Sequence, residues 1–157
     1  LDAARHFWSA AMQAGEAPPA TLHTDAMEAL WGLEGADLSR CVMPLHDCWL
    51  ELVQYRSPAP RGRGPQYRLC DQGMQNIGIG YRDFAPLRAM ADRMEPLGTS
   101  LALPREVGDG DLCGNYATTP DGFSFEAMPA APPWDETLGF RPASRGLKAK
   151  LASRDPG

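Results

Sequence analysis

Two glutamates sit in the middle of alternating apolar runs, and they are the residues best placed to do chemistry. Glu51 lies in Cys48-Trp49-Leu50-Glu51-Leu52-Val53-Gln54-Tyr55, and Glu126 lies in Phe123-Ser124-Phe125-Glu126-Ala127-Met128. Alternation with period two marks a half-buried strand. A carboxylate at mid-strand must meet a metal, a cation, a proton or water, because burying it alone is very costly. Held around one pocket, two such carboxylates can bind a divalent cation through oxygen or move protons as general acid and base. Residues two apart share a strand face, so Trp49, Val53 and Tyr55 accompany Glu51, and Ser124 and Met128 accompany Glu126. A third run, Met74-Gln75-Asn76-Ile77-Gly78-Ile79-Gly80-Tyr81, brings the carbonyl oxygen of Asn76 onto one face with Met74, Gly78 and Gly80. The two glycines either leave space above the sheet or ease its curvature. The lining expected from these residues is apolar and aromatic with a few polar groups, which suits a small organic ligand.

Other residues carry weaker chemistry. His6 borders a helix face, His23 lies in a loop before a helix cap, and His46-Asp47 forms a polar turn. Arg61, Arg63 and Arg68 fall in a Pro/Gly/Arg loop and read as solvated. Cys41, Cys48, Cys70 and Cys113 form no C-x-x-C pair, so they read as buried free thiols of a reducing cytoplasm rather than a zinc site. No Ser-His-Asp or Cys-His arrangement and no P-loop is legible, and Gly78-x-Gly80 lacks a dinucleotide-binding context. A net charge of -5 over 157 residues argues against general nucleic-acid binding, which relies on cations at phosphate. No apolar run has the length of a membrane span and no signal-peptide pattern opens the chain. The start at Leu1 points to a truncated or processed N-terminus. The expected location is the cytoplasm.

The elements that position the glutamates can be read from periodicity and breakers. Ala4, Phe7, Trp8, Ala11 and Met12 predict a helix over 1–14, stopped at Gly15. Pro18-Pro19 makes an extended connection. Thr24 or Asp25 caps a short helix to Leu30 or Leu33. Strands over Leu38–Leu45 and Cys48–Tyr55 form a hairpin through His46-Asp47. After the Pro/Gly/Arg loop, a strand over 74–81 leads to a helix capped by Asp83, with an apolar stripe of Phe84, Leu87, Met90, Ala91, Met94 and Leu97 and a stop at Gly98. A short strand near Ser100–Leu103, an acidic Gly-rich loop over 106–111, and a strand over 112–117 follow. Pro120-Asp121-Gly122 is a turn in which Pro fixes φ, Asp bonds its own backbone and Gly takes positive φ. The segment after Ala130 reads as an extended or disordered tail.

The halves repeat weakly, each with a helix, strands, a polar turn and a strand with a central glutamate, which places Glu51 and Glu126 at equivalent positions. On Phe7-Trp8, Trp49-Leu50-Glu51-Leu52, the run Asn76 to Asp83, and Pro120-Asp121-Gly122 ahead of Phe125-Glu126, residues 1 to about 130 resemble the vicinal oxygen chelate superfamily of glyoxalases, bleomycin-resistance proteins and extradiol dioxygenases. The resemblance implies an α+β fold of two βαβββ modules whose curved mixed sheets surround a shared cavity. The modules would span 1–58 and 73–130, with a linker over 59–72 and a tail over 131–157, and the first strand of module one would precede Leu1. It implies a metal held by Glu51, Asn76 and Glu126, with Asn76 where the family usually has His. Mg, Mn, Zn, Ni and Fe are not distinguished, and a metal-free site is the alternative. It implies an isomerase, epimerase or lyase working through a metal-chelated or enolate-like intermediate, with Glu126 and Glu51 catalytic and Trp49, Tyr55, Met74, Asn76, Gly78, Ser124 and Met128 around the ligand. Ring-cleaving dioxygenase chemistry fits less well, because it wants two His and one Glu. The alternative is a binding protein that sequesters an antibiotic or metabolite. A homodimer is the expected assembly, with a small molecule as partner and neither nucleic acid nor membrane.

Overall fold

The computed structural model describes residues 1–17, 24–45, 48–61, 76–105 and 113–130, together with Asp135 and Leu138. His23, His46, Asp47, Arg63, Arg68, Cys70, Met74 and Gln75 lie outside the described residues, as do most of the expected linker, the acidic loop and nearly all of the tail. Mixed helices and small sheets make an α+β fold.

Helix α1 spans Asp2–Met12 and buries Phe7, Trp8, Ala11 and Met12, the stripe that its i, i+3, i+4 spacing predicts. The stop is made by Gln13 in the left-handed region at φ 55 rather than by Gly15. Beyond it the Ala17 N–H donates to the Val42 carbonyl, so the chain leaving α1 runs beside the first strand. Helix α2 (Asp25–Leu30) is a short helix whose only buried residue is Glu28. Strands β1 (Asp37–Leu45) and β2 (Cys48–Ser57) form an antiparallel two-stranded sheet. At its open end Arg56 pairs with Asp37, and that hydrogen bond holds the Asp37 carboxyl below its ordinary range.

The second half is a three-stranded sheet of order β3-β5-β4, made of β3 (Asn76–Tyr81), β4 (Asn115–Thr118) and β5 (Ser124–Pro129). Strand β3 runs parallel to β5 and β4 antiparallel to it. Between β3 and β4, helix α3 (Phe84–Met94) buries Leu87, Met90, Ala91 and Met94. A 3₁₀ turn at Glu95–Leu97 and Gly98 at φ 78 end it. The strand expected near Ser100–Leu103 is an irregular segment instead. Side chains tie it to β4: Thr99 Oγ1 donates to the Thr118 carbonyl at 3.1 Å and Asn115 Nδ2 to the Ala102 carbonyl at 2.9 Å.

One core joins the halves. The Phe125 ring on β5 lies 6.2 Å from that of Phe7 and 5.6 Å from that of Trp8, so α1 of the first half packs on the sheet of the second. Leu87, Met90, Met94 and Ala127 complete this core, and Cys41, Leu50 and Leu52 pack on it from the hairpin. Arg93 Nε donates to the Ala11 carbonyl at 3.0 Å and fixes α3 beside α1. Burying each large apolar side chain contributes about 1.5–3 kcal/mol, so this shared core is what sets the two sheets relative to each other.

The cysteines correct one expectation. Cys41 and Cys113 are half-buried and Cys48 is exposed. Cys48 opens β2 at the tip of the hairpin, where there is no core to cover it.

Candidate functional site

The hairpin register decides which face Glu51 joins. Val42 pairs with Glu51, Arg40 with Val53 and Leu38 with Tyr55, while Met43 pairs with Leu50 and Cys41 with Leu52. Paired residues point the same way. Leu50, Leu52, Cys41 and Met43 therefore face the core, and Glu51, Val53 and Tyr55 face away from it. Helix α2 lies over this second face. Its Glu28 is 3 % exposed and takes the Tyr55 hydroxyl at 2.8 and 3.0 Å. Arg40 reaches Asp25 of the same helix at 3.6 Å. Desolvation and then the Glu28 hydrogen bond hold the Tyr55 phenol above its ordinary pKa, so it stays protonated near neutral pH.

A cavity of about 560 Å³ runs along the edge of β2 away from β1. Every residue from Leu50 to Tyr55 lines it, the mark of a strand seen edge-on. Helix α1 contributes Leu1, Ala4 and Trp8, and the turn ahead of β5 contributes Asp121 and Phe123. Glu51 brings a carboxylate with Oε1 shielded from solvent. That turn is held by Thr119, which is 2 % exposed. Its hydroxyl receives the Phe123 N–H at 3.0 Å and donates to Asp121 Oδ1 at 2.6 Å. Asp121 is thus bonded to the Thr119 side chain, which reaches it first, rather than to its own backbone. Gly122 supplies the expected positive φ, 87°.

The second glutamate stands elsewhere. On the sheet β3-β5-β4, Gly78 and Tyr116 flank Glu126, Asn76 and Thr118 flank Ser124, and Gly80 lies beside Met128. Asn76, Gly78, Ser124, Glu126 and Met128 therefore share one face, opposite the core face of Phe125 and Ala127. Gly78 leaves the flank of Glu126 without a side chain, and Tyr116 on the other flank is 53 % exposed. Of the residues expected around the ligand, Glu51 and Tyr55 line the β2 cavity. Trp49 shares their strand face but is 40 % exposed and is not among the described walls. Asn76, Gly78, Ser124, Glu126 and Met128 gather on the second sheet.

Among the described residues, no three His, Cys, Asp or Glu side chains come close enough to hold a metal ion. Asn76 and Glu126 offer oxygens from one face and Glu51 from the other sheet, whereas hard divalent cations take six or more oxygen ligands. The described side chains on either face do not by themselves make a metal centre. Sequence reasoning missed Glu28, Asp121, Trp8 and Phe123. Glu28 had no local signal, since it sits between apolar Met27 and Leu30 on a six-residue helix. Trp8 and Phe123 read as core residues, which they also are.

Neither a protein-family model nor a curated protein matches this chain. Solved structures do. A glyoxalase family protein from Bacillus cereus superposes with a TM-score of 0.63 at 15% identity, covering 82% of this chain and 85% of the other. The chain has the vicinal oxygen chelate fold. A glyoxylase/bleomycin resistance protein/dioxygenase domain from Frankia sp. EAN1pec gives a TM-score of 0.57 at 12% identity over 88% of this chain and 89% of that one. A glutamate-to-glutamine mutant of the fosfomycin resistance protein FosX from Listeria monocytogenes, complexed with Mn(II) and 1S,2S-dihydroxypropylphosphonic acid, gives 0.51 at 13% identity over 90% and 89%. No helix among the described residues is long and apolar enough to cross a membrane.

Proposed function

We propose that this protein binds a small organic molecule in the cavity along β2 and holds it there, as a sequestering protein of the bleomycin-resistance type. The observation that carries the reading is the cavity itself: about 560 Å³, with Trp8, Glu51, Tyr55 and Phe123 among its walls. That volume lies in the range of small-ligand sites. An enolate-forming site needs a donor or cation aimed at the developing oxyanion. The described side chains of this cavity are mostly apolar and aromatic, with two carboxylates among them. The test is saturation-transfer NMR with small aromatic probes on the wild type and on Val53→Trp, which fills the cavity. Binding is expected to disappear in the variant; binding that survives it would refute the reading.

A second reading rests on the other face. Asn76 and Glu126 lie on one open face with Gly78 beside Glu126, and the Listeria FosX variant is complexed with Mn(II). In this reading the chain is an isomerase, epimerase or lyase, with Glu51, Asn76 and Glu126 as ligands to a divalent metal that polarises substrate oxygens. Glu126 would move the proton. Stoichiometric Mn(II) uptake that is lost in Glu126→Ala supports it; no uptake by the whole protein rules it out. Both readings take a homodimer as the assembly, which light scattering in solution would test.

A further inference from the structure

We propose that α2 is a lid, a segment that swings off the β1–β2 face as a unit while the core stays folded. Every residue from Thr24 to Gly32 is exposed except Glu28. Met27, Leu30 and Trp31 are among the exposed ones, Leu30 at 84 %. The apolar residues of α2 thus lie in water and its one buried residue is an acid, the reverse of an amphipathic helix docked on a core. Apolar burial, which fixes α1 and α3, contributes little to holding α2 in place. Polar contacts hold it to the sheet instead. The Glu28 carboxylate accepts the Tyr55 hydroxyl at 2.8 and 3.0 Å. The Asp25–Arg40 pair has its acid fully in water, where an ion pair adds little. Six residues are too few for a helix that is stable alone, and Thr24 makes no side-chain cap to it. At its other end Gly32 at φ 73 and Gly35 at φ 71 bracket a turn before β1 that can absorb a change in backbone angle. An element held by polar contacts rather than by buried apolar area sits at the low end of local stability. Opening uncovers the face of Arg40, Glu51 and Val53 and returns the Tyr55 hydroxyl as a donor. Tyr55 also lines the β2 cavity, so the lid is latched to a wall of that cavity whatever the cavity holds.

The experiment is native-state proteolysis of the whole protein by chymotrypsin over a range of urea. Initial rates of cleavage after Leu30 and Trp31, at the end of α2, and after Leu87 and Phe125, in the core, are followed site by site by mass spectrometry. Where reclosing outpaces cleavage, each rate follows the population of the opened form. Leu30 and Trp31 are expected to be cut in the folded protein, at a rate that rises only weakly with urea. The core sites are expected to be cut only through global unfolding, with its full urea dependence. Glu28→Ala removes every contact of that side chain and leaves a strong helix former. It is expected to speed cleavage at the lid about tenfold or more, the effect of losing a hydrogen bond to a charged group; Tyr55→Phe serves the same purpose should the first fail to fold. If cleavage after Leu30 and Trp31 carries the same urea dependence as cleavage after Leu87 and Phe125, α2 opens only with the whole molecule and the lid is overturned. If neither variant speeds cleavage at the lid, α2 unwinds without leaving the sheet, and the lid is overturned as well.

Discussion

Replacing Tyr55 by Phe removes one oxygen and keeps the ring that lines the cavity. Glu28 is 3 % exposed, and the Tyr55 oxygen lies 2.8 and 3.0 Å from its two carboxylate oxygens. A phenol has one proton, so these contacts amount to one donor shared between two acceptors. Withdrawing a donor from a buried charged acceptor costs about 1–3 kcal/mol. The middle of that range, about 2 kcal/mol, lowers Tm by about 4–8 °C in a chain of this size. Urea unfolding of the wild type, Tyr55→Phe, Glu28→Gln and the double variant isolates the pair. A coupling of about 1 kcal/mol or more is expected, and a value within the roughly 0.3–0.5 kcal/mol seen for independent sites would refute the latch between α2 and β2. The pH dependence gives a second check. The folded-state pKa of Tyr55 is raised by desolvation, then by the hydrogen bond and charge of Glu28, with Arg40 pulling the other way. A raised pKa means stability that is fully present below the unfolded value, about 10 for tyrosine, and lost as pH rises through the folded value. The stability gap between wild type and Tyr55→Phe should therefore stay constant from neutral pH to about 9 and shrink above about 10. A gap that widens there has the wrong sign. Tyr81, raised chiefly by burial, should show an alkaline loss of its own that Tyr81→Phe removes.

Phe125→Ala opens a cavity where the Phe7 and Trp8 rings meet β5, and should cost about 3–5 kcal/mol in chemical denaturation. Tyr116→Ala on the exposed side of the same sheet should stay within about 0.5 kcal/mol. Gly114→Ala would place a Cβ 2.9 Å from Met128 Cβ, and a destabilisation of about 1–3 kcal/mol is expected from that overlap. Cys48 should alkylate well ahead of Cys41 in peptide-resolved mass spectrometry, because Cys48 is exposed while desolvation and then the Glu16 charge push the Cys41 thiol up.

Much of the fold was legible because it is written in local periodicity. The α1 stripe of Phe7, Trp8, Ala11 and Met12, the alternation around Glu51 and Glu126, and the breaker at Gly98 each act over a few residues, and each produced its element within a residue or two. Where the expectation missed, a contact from elsewhere had intervened. The segment after Gly98 is tied to β4 by side chains rather than by a strand ladder, and Asp121 turned to Thr119.

The site divides along the same line. By itself the sequence determined that Glu51 and Glu126 are mid-strand carboxylates on faces opposite the core, because side-chain alternation is a property of the strand alone. Only the tertiary structure decided what each one meets. That depends on how α1 packs across onto Phe125, which brings Trp8 and Phe123 beside Glu51 and leaves Glu126 with Asn76 on the other sheet. It also brought in Glu28, a residue with no local signal, because a buried acid needs a donor and the register of β1 against β2 put the Tyr55 hydroxyl within its reach.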